Sequence, residues 1–190
     1  MEKIILASGS PRRRELLPQI GVKDFEIIPA EAEPPIPAGM HPDEAVKLIS
    51  AAKASEVSAK YPDAVIMAAD TVVALGNKIL GKPADSDEAF SHLKMLSGNS
   101  HSVYTGVTVR RGDKILTEFE RSEVFFIPLT DEQIRRYIAT GESSDKAGSY
   151  AVQGLGSLLV ERIEGDYFNV MGLPLCLLGK MLKNFGIVLL

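Results

Sequence analysis

Apolar and polar residues alternate along this chain with two recurring periods, one suited to strands and one to helices. Ile4 to Ala7 is a short unbroken apolar run and predicts a buried strand, ending in the turn Ser8-Gly9-Ser10. Ser10 is a suitable helix N-cap, and Pro11 then falls at the first helical position, where its missing N–H costs nothing. Phe25 to Pro29 predicts a second strand. Asp43 to Tyr61 has helical spacing, with Ala45, Leu48, Ile49 and Ala52 on one face. Ala64 to Ala69 is nearly all apolar, as in a central strand covered on both sides, and Thr71 to Leu75 continues extended. Gly76-Asn77 signals a hairpin leading to Ile79 and Leu80. Asp85 caps a helix to about Leu96, with Asp87 and Glu88 in the first turn, where the helix dipole favours anions.

Beyond the Ser97–Ser100 turn, Val103 to Val109 and Ile115 to Ile127 predict an antiparallel pair about Arg111-Gly112-Asp113. Thr130-Asp-Glu-Gln133 opens a capped helix reaching about Ile138. Thr140 to Gly156 reads as a long loop rich in Gly and Ser. Leu158 to Ile163 and Tyr167 to Val170 suggest a closing hairpin, and Gly172 to Phe185 a last helix. Strands interleaved with helices, and no internal repeat or linker, predict one α/β domain over residues 1–190, with a mixed, twisted central sheet flanked by helices.

Composition narrows the setting. The net charge of −4 provides no general nucleic-acid footprint, so any phosphate site must be a local cluster. No apolar run reaches the roughly 18 residues of a membrane helix, and the N-terminus is too short in apolar residues for a signal peptide. The single cysteine, Cys176, excludes an internal disulfide and reads as buried packing in a cytoplasmic protein.

Several residues carry candidate chemistry. Arg12, Arg13 and Arg14 occupy the first turn of a predicted helix, where the dipole disfavours cations. An anion such as phosphate would resolve the conflict; three solvated arginines on a surface helix are the plainer explanation. Successive helical positions lie about 100° apart, so the three arginines cannot all face one ligand. Asp70 follows an apolar strand, a position where α/β proteins place ligands. Gly76 to Pro83 matches GxxxxGK, yet Pro83 stands where a P-loop needs Ser or Thr for Mg²⁺, so this is not a P-loop. Lys82 is left between a phosphate contact and a surface lysine. Glu31 and Glu33 lie in a stretch stiffened by Pro34, Pro35, Pro37 and Pro42, and read as metal ligands or as solvated loop acids. His41, His92 and His101 lack metal-ligand spacing and are assigned to surface or packing. Gln153 carries an amide whose donor and acceptor complement the N3–H and O4 of uracil or thymine.

Taken together, Leu6-Ala-Ser-Gly-Ser-Pro-Arg-Arg13, Ala69-Asp-Thr-Val-Val73, Gly81-Lys-Pro83, Leu96-Ser-Gly98, Asp145-Lys-Ala-Gly148, Gln153-Gly154 and Val170-Met-Gly-Leu-Pro174 resemble the Maf family of nucleotide pyrophosphatases. The resemblance covers nearly the whole chain in order. It implies a two-lobed fold similar to that of inosine-triphosphate pyrophosphatase, with the active site in the cleft. It also implies hydrolysis of a nucleoside triphosphate to monophosphate and pyrophosphate, a divalent cation (Mg²⁺, Mn²⁺ or Co²⁺) and a cytoplasmic homodimer without nucleic-acid or membrane partners. By position, Asp70 is the general base and a metal ligand, and Glu33 a metal or water-positioning carboxylate. Arg12, Arg13, Lys53 and Lys82 hold phosphates, Ser8 contacts the substrate from the same turn as the arginines, and Arg14, outside the motif, points to solvent. Arg12, Thr71 and Gln153 match the branch that prefers dTTP and UTP over the branch acting on 7-methyl-GTP. The loop Ala30-Glu-Ala-Glu-Pro-Pro35 departs from the family's adjacent acids. A regulatory nucleotide-binding role in septum formation is the alternative to catalysis.

Overall fold

The central apolar run does become a central strand. In the computed structural model, which describes residues 3–31 and 34–190, it forms β3 (Val65–Leu75), whose first five residues are all buried. β1 (Ile4–Leu6) pairs parallel to β3 on one side and to β2 (Glu26–Ile27) on the other. β4 (Lys78–Leu80) returns antiparallel on β3 after the Gly76-Asn77 turn. β5 (Ser100–Arg111) and β6 (Lys114–Phe126) follow as a long hairpin, and β7 (Val160–Glu164) pairs antiparallel with β6. The hydrogen-bonded order is β2-β1-β3-β5-β6-β7, with β4 on β3, a mixed sheet accompanied by six α-helices among the described residues.

The chain divides into two compact units. The first comprises Met1–Asp70, Thr105–Glu120 and Gly172–Leu190; the second comprises Thr71–Tyr104 and Arg121–Met171. The first unit contains α1 (Pro11–Leu16), α2 (Pro42–Lys60) and α6 (Leu175–Lys183). Ile5 of β1, Ala7 just past it, and Ile66 and Ala68 of β3 pack there against Ala54 and Val57 of α2. The second unit contains α3 (Ser86–Leu96), α4 (Asp131–Ala139) and α5 (Tyr167–Met171). Its core joins Val73, Leu93, Leu96, Val103, Val124, Phe126, Ile134 and Leu159. The predicted caps of α3 and α4 both form. Asp85 accepts from the Glu88 N–H, and Thr130 with Gln133 makes a full capping box.

Three local expectations are corrected. Tyr167 to Val170 is helical, not a strand. Asp166 accepts from the Phe168 N–H at 2.7 Å, and the buried Asn169 amide donates to Val103 O (3.0 Å) and Ser122 Oγ (2.9 Å). Local capping and a buried polar anchor thus outweigh the β-propensity of an aromatic and β-branched run. On α2 the buried stripe runs through Val46, Ile49, Ser50, Lys53 and Val57, leaving Leu48 39% exposed. Cys176 is exposed, because α6 begins only at Leu175, after Pro174, and turns Leu178, Met181 and Leu182 inward.

Candidate functional site

In the first unit, β1 and β3 run in register through Leu6 and Met67, and Ala7 N–H donates to Met67 O at 2.7 Å. The strands then part. The first turns away at Ser8, while β3 continues through Asp70, so Asp70 sits mid-strand but just past its pairing with β1. Ser10 occupies the N-cap position of α1 but makes no side-chain cap bond. Its N–H donates to Ser8 Oγ at 3.3 Å, so the Ser8 hydroxyl holds the turn that leads into the helix.

Arg13 explains much of this turn. It is 9% exposed, and its Nη1 donates to Ser8 Oγ (3.0 Å) and Ala69 O (2.8 Å) while Nε donates to Gly172 O (2.7 Å). One guanidinium therefore ties the Ser8 turn, the residue before Asp70 and the segment before α6, a use that suits its planar fork of donors. A cation in the first helical turn is explained here by three protein acceptors. Arg12 is half-buried and Arg14 exposed.

Lys53 is placed by the packing of α2. Gly106 of β5 lies so close to α2 that a Cβ there would stand 2.3 Å from Val46 O. Ser50 Oγ bonds Thr108 Oγ1 at 3.0 Å, and Thr108 bonds Thr117 of β6 at 3.0 Å. These contacts set both the distance and the rotation of the helix. Lys53, three residues beyond Ser50, then donates from Nζ to Asp70 Oδ1 at 2.8 Å, with side chains 10% and 14% exposed. Such a pair contributes little net stability, because desolvation offsets its attraction. Its value is positional: a carboxylate and an ammonium held together, still reachable from solvent, at the end of a β1–β3 pairing.

In the second unit the Gly148 turn is drawn against the segments bearing Thr71 and Lys82. Gly148 N–H donates to Gly81 O at 3.1 Å, beside Lys82. Gly148 has φ +67°, and a Cβ there would meet Val73, two residues past Thr71, at 2.8 Å. Ser149, with φ +62°, hydrogen-bonds His92 Nδ1 at 2.9 Å. Burial holds the pKa of His92 below its ordinary value, in keeping with a packing role. Thr71 is half-buried, and Lys82 and Gln153 are exposed. Glu142 and Tyr137, which fasten the Gln153 segment, carried no motif that would have marked them.

For a metal, Asp70 supplies a hard oxygen donor; Glu33 lies outside the described residues. Among the described residues no group of three or more His, Cys, Asp or Glu forms a cluster able to enclose an ion. That donor set fits Mg²⁺-type binding, in which one or two carboxylates share the ion with substrate phosphates and water. His41 bonds Asp43 at the surface, and His101 is buried against Tyr150, so neither points to metal chemistry. Among the described residues, no helix is long and apolar enough to cross a membrane.

The chain has near relatives among known proteins. A dTTP/UTP pyrophosphatase of Bacillus cereus (strain ZK / E33L) is 50% identical over 187 residues, covering 98% of this chain and 97% of that protein. The dTTP/UTP pyrophosphatase of Bacillus anthracis is 49% identical, again covering 98% and 97%. A solved HAM1 protein from Coxiella burnetii shows a slight likeness, with 18% identity and a TM-score of 0.44 over 66% of this chain and 73% of that one. The family model described as Maf-like protein matches residues 3–185, and it spans the Ser8 turn, Lys53, Asp70 and the Gln153 segment alike: the chain belongs to the Maf-like protein family.

Proposed function

We propose that this protein hydrolyses dTTP, UTP and modified pyrimidine nucleoside triphosphates to the monophosphate and pyrophosphate, a house-cleaning role. The observation that carries this reading is the Lys53–Asp70 pair at 2.8 Å, held beside the Ser8 turn in a chain about half identical to dTTP/UTP pyrophosphatases. Asp70 orients and deprotonates a water. The water oxygen forms a bond to the α-phosphorus, the bond from that phosphorus to the bridging oxygen breaks, and pyrophosphate leaves with the electron pair. The proton passes to Asp70. Arg12, Arg13, Lys53 and Lys82 hold the phosphates, aided by Ser8, and neutralise charge spread over the equatorial oxygens. Arg13 does so in part indirectly, by fixing the turn. A divalent cation (Mg²⁺, Mn²⁺ or Co²⁺) held by Asp70 and Glu33 would add Lewis-acid neutralisation of the phosphates. Thr71 and Gln153 face substrate choice: the Gln153 amide accepts from N3–H and donates to O4 of the pyrimidine. The family resemblance further supports a cytoplasmic homodimer.

The test is pyrophosphate release over a panel of canonical and modified triphosphates, with each cation and with none. Asp70→Asn keeps an acceptor for Lys53 but loses the base, and turnover should fall about 10²–10⁴-fold. Near-wild-type release by that variant removes Asp70 from its role. Nucleotide binding without any release would favour a regulatory protein, such as one acting in septum formation. Preference for 7-methyl-GTP would place the chain in the other branch.

A further inference from the structure

Gln153 lies on a surface segment, yet a base-reading residue must be held in place to discriminate. The structure holds its segment on one side through the Glu142 carboxylate and on the other through the Tyr137 hydroxyl. Glu142 Oε1 accepts from Leu155 N–H at 3.0 Å, and Oε2 accepts from Gly156 N–H at 3.1 Å. The Tyr137 hydroxyl donates to the same carboxylate and accepts from Ala151 N–H at 3.1 Å. Residues 151, 155 and 156 are therefore pinned around Gln153 by a single connected network.

The intervening glycines fit this arrangement sterically. Gly154 has φ +66°, and a Cβ there would stand 2.6 Å from Glu142 Oε1. A Cβ on Gly156 would stand 2.0 Å from Ala151 O and 2.8 Å from Tyr137 Oη. Gln153 itself is extended, at φ −95° and ψ 167°, immediately before the 3-10 turn Gly154–Leu159 that receives the carboxylate. The N–H bonds from Leu155 and Gly156 hold the Glu142 carboxyl below its ordinary pKa, so it stays an acceptor across the neutral range.

We propose that Glu142 is a positioning residue for substrate choice: it clamps the Gly154–Gly156 backbone and so presents the Gln153 amide in one orientation. The proposal rests on the reading of Gln153 as the base contact. It predicts that loss of Glu142 costs discrimination more than fold, because the carboxylate lies outside the hydrophobic core of its unit and its partners are the Leu155 and Gly156 N–H groups, Tyr137 and Lys146.

The experiment measures kcat and KM for UTP and GTP, together with Tm, in Gln153→Ala, Glu142→Ala, Glu142→Gln, Gly154→Ala and the Glu142→Ala/Gln153→Ala double variant. Gln153→Ala should lower the UTP-over-GTP ratio of kcat/KM at least 10-fold. Glu142→Ala should lower it about fivefold or more, mainly through KM for UTP. Gly154→Ala should do the same by displacing the carboxylate. Glu142→Gln, with one acceptor oxygen left, should fall between wild type and Glu142→Ala, and carries the test if Glu142→Ala does not fold. The double variant should match Gln153→Ala alone, since Glu142 acts only through Gln153. If Gln153→Ala alters the ratio while the Glu142 variants do not, the clamp is refuted and the base reading stands. If the Glu142 effect persists unchanged in the Gln153→Ala background, the clamp is likewise refuted. An unchanged ratio in Gln153→Ala removes the base reading and this proposal with it.

Discussion

Replacing Gly106 by alanine probes how closely the Lys53–Asp70 pairing depends on one helix-to-sheet approach. The added Cβ would stand 2.3 Å from Val46 O, 2.4 Å from Val46 C and 2.9 Å from Lys47 N. All three are backbone atoms, so no rotamer change relieves the clash, and reaching an ordinary contact of 3.4 Å displaces α2 from β5 by about 1.1 Å. Overpacking of this kind costs about 3 kcal/mol, the upper end of its usual range, because a whole helix must move. For a chain of this size that corresponds to a Tm lower by about 6–12 °C. The same shift stretches the Ser50–Thr108 bond and carries Lys53 from its 2.8 Å contact with Asp70. A misplacement of about 1 Å at a reacting group can cost about 10²-fold in rate, so kcat should fall by that order even at temperatures where the variant is fully folded. Gly179→Ala is the control. Gly179 lies inside α6, and its nearest atom to an added Cβ is Leu189 Cδ1 at 4.0 Å. Its Tm should rise by about 1–3 °C, from the better helix propensity of alanine, with kcat unchanged. Thermal unfolding and steady-state pyrophosphate release read both variants. A Gly106→Ala protein with wild-type Tm and kcat would refute the argument that this approach places Lys53.

Two further outcomes follow from buried polar groups. Arg13→Lys keeps the charge but cannot span Ser8, Ala69 and Gly172 with one fork, so it should lose about 2 kcal/mol of stability and about 4–8 °C in Tm; an unaltered Tm would contradict the clip. His101 is 1% exposed and bonded to Tyr150 Oη at 2.8 Å, and burial lowers its pKa from 6.5 to about 4. The unfolded chain therefore takes up a proton below pH 6.5 that the folded chain refuses until about pH 4, so this contribution is complete above 6.5 and declines as pH falls. Urea unfolding should show about 2 kcal/mol more stability lost between pH 7 and pH 5 in wild type than in His101→Gln; equal losses would refute the assignment.

Much of the fold was legible because neighbouring residues in the chain decided it. The Ile4–Ala7 and Ala64–Ala69 runs, the Gly76-Asn77 turn and the caps at Asp85 and Thr130 are local features with local causes. Asp70, at the end of an apolar run, and the Arg12–Arg14 cluster stood out in the same way, since charges placed against local preference are visible in the sequence. What lay beyond the sequence depended on distant partners. The conflict at Arg13 is resolved by Ala69 and Gly172, 56 and 159 residues away. Tyr167–Met171 is a helix partly because Asn169 finds Val103 and Ser122. The face of α2 is turned by Gly106 and Thr108, and that turn brings Lys53 to Asp70. Glu142 looks like any loop acid until the fold brings the N–H groups of Leu155 and Gly156 to its two oxygens. Periodicity and turn chemistry act over a few residues and are written in the chain; satisfying a buried charge or hydrogen bond requires partners that only the folded chain brings within reach.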